Sequence, residues 1–284
     1  MKFRVLAFLL VLFQGLWAQS SLLWEVSGNG LSHKSYIFGT IHLIPASDYF
    51  FPKTWQKKLY ESDVVVFESD IKPSIQEQLA IVDKVMFPSG QTLRDYVPAG
   101  YYDSLYVFLK DTLGLKKKTI SKIMKIKPAY ASALVLKKVI DKKLMTYETE
   151  IYKMAKKKKK KFYYLETLEY QTSLIDSIPI YEQARNFLYN PENGEDLLTG
   201  YYAMVSIYKT NNIDSVSQYV YASSDSLFLN KFIRVRNENW LPQLERLFKE
   251  QSTFVAVGSG HLGGKYGILT LLKSRGYKLR PVSF

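Results

Sequence analysis

Ser35-Tyr36-Ile37-Phe38-Gly39-Thr40-Ile41-His42 reads as a short apolar strand that stops at a glycine and delivers a histidine. The same frame returns near the far end of the chain, where Thr253-Phe254-Val255-Ala256-Val257 runs into Gly258-Ser259-Gly260-His261. In open α/β sheets the loops after the carboxyl ends of strands converge on a crevice, so two such ends can bring distant histidines together. Glycine in the turn allows close backbone approach and lets the imidazole leave the strand direction. Both rings are therefore expected at strand ends, outside the packed interior. The third histidine, His33, falls in the polar turn Gly28-Asn29-Gly30 to Lys34 and carries no role.

Two more apolar runs end in carboxylates. Val64-Val65-Val66-Phe67 precedes Glu68-Ser69-Asp70, and Phe162-Tyr163-Tyr164-Leu165 precedes Glu166. Continuous apolar runs of this length suit strands buried on both faces. Around them, Leu22–Val26 and Lys34–Phe38 read as a hairpin. Lys53–Ser62 reads as a helix with Trp55 and Leu59 inward, and residues 75–160 as helices broken at Pro88, Pro98 and Pro128. A second helical stretch spans about 168–250, with loops near Asn190–Gly194 and Tyr221–Ser224. A helix over 267–275 and a strand over 278–282 close the chain.

Four strand ends thus carry His42, Glu68, Glu166 and His261. Two neutral imidazoles and one or two carboxylates are a competent set for zinc, manganese or cobalt. An ion with an open position acidifies water and polarises a carbonyl. A second carboxylate then serves as base, and Arg236, in Arg234-Val235-Arg236-Asn237-Glu238-Asn239-Trp240, is placed to steady an oxyanion. Each glutamate also has the plainer reading of a strand-end carboxylate capping the next helix.

The ends and composition narrow the setting. Residues 1–18, with Lys2 and Arg4, an apolar run from Val5 to Phe13, and Ala18, have the layout of a signal peptide. That run is shorter than the roughly 20 residues a spanning helix needs. An exported, periplasmic or secreted protein of one domain, 19–284, with no transmembrane segment in the mature chain, is expected. The chain has no cysteine, which excludes disulfides, thiolate nucleophiles and Cys-based metal sites. Its net charge of +13 is partly local, in Lys116–Lys118 and Lys156–Lys161. The longer run reads as a solvated helix end, with an anionic surface contact as the alternative. No nucleic-acid partner is expected, since no recognition motif accompanies it.

The segments around these residues resemble the TraB/GumN family, also called Tiki-like. The resemblance rests on IFGTIHL (37–43), VVVFESD (64–70), KPAY around Lys127 and Pro128, YLETLEYQ with Glu166 and Gln171, RNENW with Arg236 and Asn237, and VAVGSGHLGG (255–264). It implies an α/β fold, with a central mixed β-sheet, helices on its faces and large helical insertions. It also implies a metal-dependent hydrolase acting on a peptide or protein substrate, with His42, His261 and Glu68 as metal ligands and Glu68, Glu166, Arg236 and Asn237 in the catalytic set. Related folds include haem-binding ChaN-like proteins, so a ligand- or haem-binding envelope protein is the second reading. A third is an envelope interaction protein whose lysine-rich surface docks on an anionic partner. Thr146-Tyr147-Glu148 stands where members often carry Gly-Val-Asp, and Tyr164 where glycine usually precedes Leu-Glu-Thr.

Overall fold

The computed structural model describes residues 20–140, 143–191 and 194–284. The expected signal peptide, and Glu192 and Asn193 of one expected loop, lie outside the described residues. Six strands form the main sheet: β1 (Leu23–Gly28), β2 (Ser35–Thr40), β3 (Val64–Phe67), β4 (Lys161–Tyr164), β5 (Thr253–Gly258) and β6 (Tyr277–Pro281), in the order β6-β1-β2-β5-β3-β4. The sheet is mixed. β1 pairs antiparallel with β2 and β6, whereas β2, β5, β3 and β4 run parallel. The composition dictates much of this split, because β2 and β3 are buried along their whole length, as parallel strands covered on both faces require, whereas β4 lies at the sheet edge and is only half-buried, not covered on both faces as its apolar run suggests. The β1–β2 turn holds Gly28, Asn29 and Gly30 at positive φ, a conformation glycine adopts without cost.

Helices cover both faces. Trp55 and Leu59 of α1 (Lys53–Glu61) are fully buried, and α1 meets an aromatic cluster in which Phe38 lies 5.4 Å from Trp55 and 5.3 Å from both Phe51 and Tyr147. Of the helices α2 (Ile75–Val85), α3 (Ala99–Val107), α4 (Lys117–Ile123), α5 (Pro128–Val139), α6 (Tyr147–Lys157), α7 (Leu168–Asp176) and α8 (Ile180–Phe187), a second apolar core gathers α3, α4, α5 and α8, centred on Leu105, Leu109, Ile120, Ala131 and Ala184, while α6 buries Tyr147, Ile151 and Ala155 in the core of the sheet. This is the expected helical insertion, and it leaves the sheet's carboxyl edge to the residues that follow each strand. The rest of that edge is closed by α9 (Leu197–Tyr208), α10 (Ile213–Ala222), α11 (Val235–Glu250) and α12 (Ile268–Ser274). Among the described residues no helix is long and apolar enough to cross a membrane.

One residue of the lysine run departs from expectation. Lys156 and Lys157 do close α6, but Lys159 turns back at positive φ, and Lys160 Nζ donates to the carbonyls of Tyr60 and Ser62. Those carbonyls belong to the last turn and the C-cap of α1, so Lys160 is a structural cap for a neighbouring helix. The others in the run remain exposed.

Candidate active site at the parallel strand ends

Register explains how the two GxxH frames meet. In the β2–β5 pairing, Gly39 lies beside Val257 and Thr40 beside Gly258. A Cβ on Gly39 would stand 3.0 Å from the Cα of Ser259, so one motif's glycine is the floor on which the other motif rests. Tyr208 of α9 donates its hydroxyl to the Gly39 carbonyl at 2.7 Å and pins the turn from below. On the other side of β5, Phe67 pairs with Ala256, and on β4 with Tyr164, which sets Glu68 and Glu166 on the same edge. All four strand-end residues are brought to one place.

Their centre is Gly258. A Cβ there would sit 3.2 Å from Glu68 Oε1, 3.7 Å from His261 Cδ2 and 3.9 Å from His42 Nε2. The absent side chain leaves the space the three groups share. The Gly258 N–H donates to Glu68 Oε1 at 2.7 Å.

Each imidazole is steered by a partner. Asn237 Nδ2 donates to the carbonyls of His261 and Tyr266, so its Oδ1 is the acceptor for His261 Nδ1–H at 2.7 Å. That fixes the tautomer and leaves a lone pair on Nε2, which accepts from Arg236 Nη1 at 3.0 Å. Burial holds the His261 pKa down to about 3, so the ring is neutral. His42 is its opposite: Nδ1 donates to Glu148 Oε1 at 3.2 Å, and the same oxygen accepts from Thr40 at 2.7 Å. The hydrogen bond and charge of Glu148 raise the His42 pKa, although solvent reaches 76 % of the side chain and weakens that pull.

Arg236 holds the carboxylates. Nη2 contacts Glu68 Oε2 at 2.6 Å and Glu166 Oε1 at 2.5 Å, Nε adds a second contact to Glu166, and the guanidinium lies 4.7 Å from the Trp240 ring. Trp240 Nε1 donates to Glu166 Oε2, and Gln171, itself held by Ser69, donates weakly to Glu68 Oε2. Burial opposes charge on Glu68, but the cationic groups around it, Arg236 being the permanent one, and the Gly258 N–H keep its carboxyl below the ordinary glutamate range. Arg236 and Asn237 enter α11 directly after a π-helical turn over Leu229–Arg234, a local widening often found at functional sites.

One expectation changes. His261 is not outside the interior: it is 5 % exposed and packs 4.5 Å from the Trp240 ring. Among the described residues no three His, Asp or Glu side chains form a cluster ready to hold a metal, because the Arg236 guanidinium stands between His261, Glu68 and Glu166. Lys127 does not reach this centre and pairs instead with Asp176 at 2.7 Å.

Glu148 is the residue that sequence reasoning missed. It sits in the Thr146-Tyr147-Glu148 triplet, where Thr146 caps α6 and Tyr147 is buried against the sheet, a geometry that turns the next carboxylate toward His42. An acid just inside a Thr-capped helix was the available signal, but it reads equally well as a favourable charge on the helix dipole. We expect Glu148→Gln to lower the His42 pKa, read by NMR titration of the ring, and, if the centre binds a divalent ion through His42, to weaken that binding by about 10- to 100-fold. An unchanged titration would mean that the contact has no influence on the ring.

Searches of curated proteins and of solved structures gave no match. The model of the TraB/PrgY/gumN family matches residues 22–281, a span that includes every strand of the sheet and every residue of this centre, and the chain belongs to that family.

Proposed function

We propose that this protein is an exported metal-dependent hydrolase that cleaves peptide bonds. The observation that supports this most is the convergence of His42, His261 and Glu68 on the side-chain-free space at Gly258, with each ring held through Nδ1 so that Nε2 faces inward. The donor chemistry fits a divalent ion of the zinc, manganese or cobalt kind, with two imidazoles and one carboxylate as ligands. When bound, such an ion supplies Lewis acidity, polarising a carbonyl and acidifying a water.

The remaining residues have distinct tasks. Asn237 keeps the lone pair of His261 directed at the centre, and Glu148 does the same for His42. Glu166, with Arg236 and Trp240 on its two oxygens, is spent on holding Arg236 and is a poor base. Arg236 holds the centre together by bonding Glu68, Glu166 and His261 at once. With Glu68 and His261 engaged by an ion, Nη1 and part of Nη2 would be left to face a carbonyl oxygen that gains charge.

The test is chelation followed by re-addition of manganese, cobalt or zinc to the chain from about residue 19 onward, with a mixed peptide library as substrate. Cleavage lost on chelation and restored by one of these ions is the expected result. Haem absorbance on reconstitution, without cleavage under any metal, would replace the hydrolase reading with the binding-protein one.

A further inference from the structure

Beside the centre, a cavity of about 510 Å³ is lined by Ile71, Lys72, Tyr152, Lys153, Lys156 and Lys157, with Thr149 completing the wall. Its walls come from the same two segments that supply Glu68 and Glu148 to the site. Lys72 follows Glu68 on the loop after β3, and Thr149 is the neighbour of Glu148 on α6.

The charge in this cavity is unbalanced. Lys153 has Glu150 at 2.8 Å, but among the described residues no carboxylate stands within ion-pair distance of Lys72, Lys156 or Lys157. Two ammoniums, Lys72 at 5.2 Å and Lys156 at 5.9 Å, gather over the one ring of Tyr152. Holding like charges together is unfavourable, and the ring's quadrupole offsets only part of the cost. An anion between them would relieve it.

We propose that this cavity is a subsite for acidic side chains of the peptide substrate, so that the protein prefers sequences carrying Glu or Asp to one side of the bond it cleaves. This rests on the peptidase reading for its link to the centre, though not for binding itself. An acidic polysaccharide is the less suitable occupant. Tyr152 is stacked on Phe162 at 4.7 Å and carries the two ammoniums as well, so no ring face is open for a sugar.

The experiment compares fluorescein-labelled peptides of equal length that differ only in a Glu block or a Gln block. Binding is followed by anisotropy with the full mature chain, in low and in physiological salt. For wild type we expect the Glu peptide to bind about tenfold more tightly than the Gln peptide at low salt, with the gap narrowing as salt rises. Lys72→Gln/Lys156→Gln should remove that gap. Lys117→Gln/Lys118→Gln, which changes the net charge equally on α4, should keep it. Lys157→Gln alone gives a partial loss without touching the Tyr152 contacts.

Equal affinity for both peptides in wild type, or an equal loss in the α4 control, would overturn the proposal. So would tight binding of an oligogalacturonate with no preference between the peptides. A Glu preference in a protein that cleaves nothing under any metal would keep this subsite and remove the peptidase reading. Cleavage with no preference for acidic sequences would do the reverse.

Discussion

His42→Ala is expected to lower metal-dependent peptide turnover by about a thousandfold or more, because it removes a ligand and not merely a support. Its melting temperature should stay within about 2 °C of wild type, since a largely exposed ring packs against little. His261→Ala makes the informative contrast. That ring is 5 % exposed, bonded to Asn237 and Arg236 and packed on Trp240, so its loss adds about 1–3 kcal/mol of destabilisation to the loss of turnover. Kinetics and thermal melts on the two variants check this directly. Activity in His42→Ala equal to wild type would end the two-histidine reading, whatever His261→Ala does.

The asymmetry between the two rings could not be read from their matched frames. Both follow a strand and a glycine, and sequence gives both the same position on the sheet edge. What separates them is the element that comes next. After His42 the chain runs out through Pro45 toward α1, whereas after His261 it folds under α10 and α11 through Gly263, where any added Cβ would collide with Ser217 Oγ. Burial of that kind is a tertiary outcome, set by helices distant in sequence. The parallel strands were legible because uninterrupted runs such as VVVF leave little other use for a segment so short and apolar. The carboxylates at their ends were legible for the same reason.

Arg236 was legible as a polar residue in a helical segment, but its role was not. The sequence reading gave it to an oxyanion, as a donor with hydrogen bonds to spare. In the folded chain every nitrogen of the guanidinium has a partner, and it sits where three candidate site residues would otherwise face one another. Pairing of this sort depends on the β3–β4–β5 register, which brings Glu68 and Glu166 to the same edge. No local pattern in residues 234–240 encodes it.

That placement carries the second large prediction. Arg236→Met should destabilise the metal-free protein by about 3–5 kcal/mol at neutral pH, because it leaves two buried carboxylates facing each other without their cation. The pH dependence follows from the sign of the Glu68 shift. A carboxyl held below its ordinary value of 4.5 stabilises the fold above that pH, and the contribution disappears as pH falls through the lower folded value. The gap between wild type and variant should therefore be widest near neutrality and close in acid, where protonation removes the repulsion that the variant suffers. Denaturant titrations at several pH values measure this. If the centre binds a divalent ion, the same variant yields a second, independent effect. With Nη1 gone, His261 Nε2 is free, and no fixed positive charge opposes the ion. Added manganese or zinc should then raise the melting temperature of Arg236→Met by more than it raises that of wild type, since the gain grows with affinity for the folded state. A pH-dependent loss without any metal rescue would identify Arg236 as a structural counter-ion and remove the exchange between guanidinium and metal from the proposed mechanism. Rescue larger than in wild type would mean that the guanidinium holds the centre together only until an ion takes its place.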